Sequence, residues 1–270
     1  MPRIESHEPG TFCWAELATS DGPAARRFYT ELFGWASEDI PMGGDQVYTM
    51  LRLSGREVGA AYQMGADEAG RGVPPHWNSY VSVESADETA AKVRSGGGSV
   101  LAEPFDVMDI GRMAVLQDPA GAVLAVWEPR RHVGATLAAE PGAPCWYECV
   151  TRDPAAAARF YGSVFGWTTK QDPATAEYTE LFLGGKVVGG MMPIAPEWGP
   201  VPSHWMVYIQ VAGCDATVEK ARAKGGTVRK PPSEIPGIGR FAILADPQGA
   251  AFSIIQLEHV ASADAPAPAS

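Results

Sequence analysis

The chain states one pattern twice. Residues 13–35, CWAELATSDGPAARRFYTELFGW, align with residues 145–167, CWYECVTRDPAAAARFYGSVFGW, at an offset of 132, and 13 of the 23 positions are identical. A second block, GRMAVLQDPAGAVL from Gly111, matches GRFAILADPQGAAF from Gly239 at an offset of 128, with 8 of 14 identical. Between them Tyr48-Thr49 matches Tyr178-Thr179 at an offset of 130, so the offset falls in two equal steps, as deletions in surface loops produce. Whatever one copy folds into, the other folds into as well. The repeat predicts a first domain over residues 1–132, a Pro- and Gly-punctuated connector over 133–144, a second domain over 145–258, and a disordered tail, HVASADAPAPAS, over 259–270.

Each copy carries the same succession of elements. A short strand over Phe12–Ala18 leads to Ser20 and Asp21, an N-cap signal, and then to a helix with Ala25, Phe28, Tyr29, Leu32 and Phe33 at three-to-four spacing that stops at Gly34. Strand-like runs follow near 46–53 and 56–63, and His76-Trp77 opens a further strand through Val83. A second helix over Asp87–Ser95 ends at Gly96-Gly97-Gly98, and runs near 99–106, 112–117 and 122–127 close the copy. Those glycines end a helix, whereas a phosphate cradle precedes one. Strand, helix and three strands, stated twice per copy, predict an α+β fold of four βαβββ units.

Composition narrows the partners. The formal charge is −11 with a pI near 4.9, which argues against nucleic acid and anionic membranes, both of which attract basic surfaces. The opening MPRIESHEPG has no apolar stretch of a secretory peptide and no long apolar run follows, so a cytoplasmic location is expected. Cys13, Cys145, Cys149 and Cys214 show no CxxC spacing and are expected to be reduced, mostly buried thiols.

The segments D-x-x-A-A-x-x-FY-x-x-x-FGW, the GR hairpin and D-P-x-G-A resemble the vicinal oxygen chelate superfamily of glyoxalases, bleomycin-resistance proteins and extradiol dioxygenases. The likeness covers nearly all of residues 11–257 and is nearest to actinobacterial chains with two fused glyoxalase-like domains, including accessory proteins of polyketide antibiotic clusters. It implies two tandem domains, each of two paired βαβββ units forming a cup that holds a metal or a small molecule. It also implies metal ligands at four positions per cup. Here those positions fall on Trp14, a residue near Ala60, Asn78 and Ala125 in the first copy, and on Trp146, a residue near Gly190, Met206 and Ser253 in the second. Divalent ions want several imidazole or carboxylate donors in one shell, and neither set supplies them. No cofactor is therefore expected. A displaced site remains as the minor alternative, built on Glu16 with His76 and on Glu148 with His204, with Asp106, Asp109 or a substrate completing it. The same four residues can instead serve as acid–base or ligand-orienting groups, or form structural pairs.

Strand alternation places Trp14, Glu16, Asn78, Tyr80 and Trp127 toward the first cup, and Trp146, Glu148, Met206 and Tyr208 toward the second, with Trp77, Val81, Trp205 and Val207 on the helix side. Tyr48 and Tyr178, repeated in register, join the candidate ligand-binding set with His76 and His204. Such rings either fill the cups or line an apolar pocket with a few polar groups. Arg112 and Arg240 are expected as structural contacts, and His132 as a contact to the other domain or to a partner chain. The expected function is metal-independent binding of a small aromatic molecule, for sequestration, resistance or antibiotic biosynthesis. The alternative is a glyoxalase-like lyase, a dioxygenase or a hydroxylation-related enzyme using the Glu/His pairs. Either a monomer or a homodimer is consistent with four units in one chain.

Overall fold

The computed structural model describes residues 3–44, 46–171 and 178–258; the tail expected to be disordered, 259–270, lies outside them. The first copy runs β1 (Phe12–Thr19), α1 (Gly22–Phe33), β2 (Ala36–Gly43), β3 (Gln46–Leu53), β4 (Arg56–Gln63), a single-turn α2 (Ala66–Gly70), β5 (His76–Ser82), α3 (Ala86–Ser95), β6 (Ser99–Val107), β7 (Gly111–Gln117) and β8 (Val123–Pro129). The second repeats it as β9 (Pro144–Thr151), α4 (Pro154–Phe165), β10 (Thr168–Gln171), β11 (Thr179–Leu183), β12 (Lys186–Pro193), β13 (His204–Gln210), α5 (Cys214–Ala223), β14 (Thr227–Ile235), β15 (Gly239–Ala245) and β16 (Ala251–Leu257). A one-turn 3-10 helix, Pro196–Trp198, stands where α2 stands in the first copy. No described helix is long and apolar enough to cross a membrane.

Local chemistry sets these boundaries. Asp21 and Asp153 cap their helices by accepting the N–H groups of Ala24 and Ala156, and Gly34 and Gly166 end them with φ of 75°, a left-handed conformation that glycine adopts without strain. Two strands escaped the sequence pattern. β2 and β10 are edge strands exposed along nearly their whole length, so neither shows the alternation of a half-buried strand. β2 is held by its register with β3 and by Asp39, which accepts from the Thr49 hydroxyl at 2.8 Å and pairs with Arg26 at 2.6 Å.

Each copy forms one eight-stranded mixed sheet, in the orders β2-β3-β4-β1-β5-β8-β7-β6 and β10-β11-β12-β9-β13-β16-β15-β14. The helix sides of the two sheets pack crosswise. One core joins Leu17, Phe28, Tyr29, Trp35 and Trp77 of the first copy to Ile209, Val218, Phe252 and Ile254 of the second. The other joins Val81, Val93, Leu116 and Leu124 of the first to Phe160, Tyr161, Trp167 and Trp205 of the second.

Buried hydrogen bonds fix this exchange in both directions. Tyr29 Oη donates to Asp246 Oδ2 at 3.1 Å while accepting from Trp77 Nε1 at 3.0 Å. Tyr161 Oη donates to Asp118 Oδ2 at 3.0 Å while accepting from Trp205 Nε1 at 2.9 Å. The other oxygen of each aspartate holds its own D-P-x-G-A turn, accepting from Ala120 and Ala122 or from Gln248 and Ala250. Trp35 Nε1 donates to Gly142 O, and Trp167 Nε1 to Gly10 O. The repeated FY, FGW and D-P-x-G-A motifs are thus parts of one network across the copies.

Removing a partner from this network strands buried polar groups. Tyr29→Phe is expected to lower unfolding free energy by about 1–2 kcal/mol, and Asp246→Ala by about 3 kcal/mol. Urea denaturation checks both, and a Tyr29→Phe midpoint equal to that of the parent would remove the cross-copy bond from the account.

Candidate functional site

The faces of the sheets turned away from the helices form the two cups. In the first, β1 lies between β4 and β5, so that Glu16 stands opposite Ala60 on one side and Asn78 on the other, while Trp14 faces Tyr80 and Tyr80 faces Ala125. In the second, Glu148 stands opposite Gly190 and Met206, Trp146 faces Tyr208 and Tyr208 faces Ser253. A β-bulge between Phe12 and Trp14 shifts the alternation by one, placing Cys13 in the same cluster as Trp14, and Cys145 is placed likewise beside Trp146. Simple alternation misses such a shift.

The same tryptophan, two tyrosines and glutamate meet in both cups. Trp14 Nε1 donates to Tyr48 Oη at 3.2 Å, and Tyr80 Oη donates to Glu16 Oε2 at 2.6 Å. Trp146 Nε1 donates to Tyr178 Oη at 3.0 Å, and Tyr208 Oη donates to Glu148 Oε1 at 2.9 Å. Glu16 and Glu148 are both buried. Burial raises the proton affinity of each carboxyl, opposed by the hydroxyls of Tyr80 and Tyr48 or of Tyr208 and Tyr178; for Glu148 the balance pushes the pKa to about 7.

The histidines bond elsewhere than to these carboxyls, although His76 lies near enough to Glu16 to oppose the rise in its pKa. His76 sits one step further along, opposite Ala18, with Nδ1 2.8 Å from Pro74 O and Nε2 3.1 Å from Asn78 Oδ1, so both ring nitrogens are engaged. His204 repeats the backbone contact, with Nδ1 2.8 Å from Pro202 O, and burial lowers its pKa. Asp106 is bound by Arg112 and Arg130, and Asp109 by Arg131, which withdraws both from the displaced metal site. No group of three or more His, Cys, Asp or Glu side chains able to hold a metal ion occurs among the described residues. With indole, amide, thioether, hydroxyl and aliphatic groups at the family's ligand positions, the donor set does not fit a divalent ion.

His132, expected against the other domain or a partner chain, has its ring contacts within the first copy. It lies over the first cup, its ring edge-on to Trp14 at 4.8 Å and to Trp127 at 5.8 Å, with Nε2 3.4 Å from Glu57. Its backbone explains the placement: its N–H bonds Ile110 O, and its carbonyl accepts Trp127 Nε1 at 2.7 Å. Tyr62 also joins this cup, sharing the face of Ala60 and donating to Glu68 at 2.9 Å; strand alternation could have found it. Arg112 grips Asp87 and Asp106, and Arg240 grips Asp215 and Glu234, tying hairpin to helix as structural contacts. A cleft of about 210 Å³ runs between the copies, lined by Phe12, Cys13, Leu137, Cys145, Trp146 and Tyr147 among others, so it borders the Trp146 end of the second cup.

Because the folded pKa of Glu148 lies above its unfolded value, its stabilising contribution is full below about pH 4.5 and is lost as pH rises through about 7. Thermal melts between pH 5 and pH 8 are expected to show a decline that Glu148→Gln flattens, with an amplitude on the order of 3 kcal/mol. Parallel profiles for parent and variant would contradict the buried, raised carboxyl.

Comparison with known proteins agrees with this architecture. A profile of the Glyoxalase/Bleomycin resistance protein/Dioxygenase superfamily matches residues 11–126, and one of a glyoxalase-like domain matches residues 132–255. CFP32 of Mycobacterium tuberculosis, named provisionally as a glyoxylase, is 44% identical over 261 residues, covering 95% of this chain and 98% of the relative. The anthracycline biosynthesis protein DnrV of Streptomyces peucetius is 36% identical over 263 residues, covering 92% and 94%. The Mn(II)-bound glyoxalase from Novosphingobium aromaticivorans superposes with a TM-score of 0.63 at 15% identity, over 92% of this chain and 82% of that one, a likeness of fold. With two cups of matching register on one duplicated chain, the protein belongs to the glyoxalase/bleomycin resistance/dioxygenase superfamily.

Proposed function

We propose that the chain binds a planar aromatic small molecule within its cups, without a metal ion, in a sequestering, protective or biosynthetic accessory role. The observation that carries this reading is the cluster repeated in both copies, an indole hydrogen-bonded to a phenol beside a buried carboxyl held by another phenol. Indole and phenol rings offer flat stacking surface, and the carboxyl and hydroxyls orient a polar group of the ligand. Two relatives, DnrV and DauV, bear the name anthracycline biosynthesis protein, and an anthracycline contains a planar, phenolic polycyclic chromophore. This similarity supports a ligand of that general shape.

A second reading rests on Glu148. A carboxyl with a pKa of about 7 both gives and takes a proton near neutrality, which suits a general acid or base acting on the bound molecule. In that case Glu148→Gln abolishes turnover while leaving ligand affinity within a few-fold of the parent, whereas a pure binder shows no turnover to lose.

The protein has eight tryptophans. Titration with a panel of planar polycyclic phenols is expected to quench their emission saturably; no quenching across the panel would overturn the binding reading. Elemental analysis of the purified protein is expected to find Zn, Ni, Mn and Fe each well below one ion per chain, and a near-stoichiometric metal would overturn metal independence.

A further inference from the structure

The two cups stop being equivalent at one end. β8 carries Trp127 where β16 carries Ile255, at the offset of 128 that relates their hairpins. Their registers correspond, Trp127 opposite Ser82 and Met113, Ile255 opposite Gln210 and Phe241. In the first cup the indole of Trp127 lies over Gly111, so close that a Cβ there would come within 2.2 Å of the ring. The connector seals it in place, through His132 above the rings and through Ala135, whose N–H bonds Cys13 O at 2.7 Å. Trp14 is left only 4% exposed. An aromatic bicycle supplied by the chain itself fills this end of the first cup.

In the second cup the corresponding side chain is the shorter Ile255, and both Trp146 and Cys145, which also border the cleft between the copies, are half-buried where Trp14 and Cys13 are buried. On the opposite side Ala60 gives way to Gly190, and Tyr178 Oη lies 1.9 Å from where a Cβ would stand, so its phenol settles onto the sheet beside Glu148. Met113 gives way to Phe241, a half-buried ring, and Ala102 gives way to Lys230, whose Nζ lies 5.4 Å from the Phe241 centroid. Side-chain volume is withdrawn at Ile255 and at Gly190, where the Tyr178 hydroxyl takes up part of it, while Phe241 adds an aromatic wall packed against Ile255 and Lys230 adds a cation beside that ring.

We propose that the second cup alone is the ligand site, taking one planar polycycle that bears an acidic hydroxyl into the space that the Trp127 indole fills in the first. The ligand stacks against Trp146 and Phe241, with its hydroxyl between Glu148 and Lys230, and Trp127 acts as the permanent occupant of the other cup. This rests on the aromatic-ligand reading above.

The test uses the full chain and 1,8-dihydroxyanthraquinone as the probe. The parent is expected to bind one probe per chain; Ile255→Trp weakens binding by at least about tenfold, and Trp127→Ile raises the stoichiometry to two. Undiminished binding by Ile255→Trp, or two probes bound per parent chain, overturns the proposal. Acrylamide quenching gives a readout independent of the probe: Trp146→Phe is expected to remove an accessible component of the emission that Trp14→Phe leaves in place. An unchanged quenching profile in Trp146→Phe overturns the open second cup. A parent that binds no probe but loses accessible emission in Trp146→Phe supports the open cup and overturns the aromatic-ligand reading together with the ligand class drawn from it.

Discussion

The hydroxyls of Tyr29 and Tyr161 are where the two copies become one molecule. Each is buried, accepts an indole N–H from its own copy and donates to an aspartate of the other, and that aspartate shapes the turn before the last strand of its sheet. A hydroxyl buried without partners would be costly, so the register of the two sheets is set where both are satisfied at once. The crosswise cores follow from this alignment, with the first half of each copy packing on the second half of the other. Since the helix sides of both sheets are committed there, the opposite faces are what remains to form the cups.

Much of the fold was legible because repetition and polarity agree. The helix spacing, the N-cap aspartates, the glycine stops and the α+β order of strands and helices all follow from periods of 3.6 and 2 read against turn residues. β2 was illegible for a physical reason: an edge strand with solvent on both faces has no hydrophobic alternation to show, and its pairing is inherited from β3. The D-P-x-G-A aspartates could be read as turn residues, but their other oxygens reach across to the partner copy, and nothing local in the sequence encodes that distance.

The cups divide along the same line. Alternation from Trp14 and Trp146 identifies the inward faces, and register then brings Tyr80 to Glu16 and Tyr208 to Glu148. The connector's part in the first cup was not legible, because His132 is placed by backbone bonds to Ile110 and Trp127 rather than by any pattern of its own. The facing of Cys13 was not legible for a related reason, since one β-bulge reverses the facing of every residue before it.

The crosswise core has a consequence for how the cups are free to differ. Four βαβββ units of this kind could in principle come from two identical chains related by a two-fold axis, but such symmetry makes every substitution appear twice. Covalent fusion lifts that constraint. Trp127 and Ile255, Ala60 and Gly190, and Met113 and Phe241 occupy equivalent positions on one scaffold, and each member of a pair is free to change while its counterpart stays fixed. Duplication within one chain therefore lets a shared, symmetric core carry an asymmetric division of labour, which no homodimer of the half-length unit could encode in its sequence.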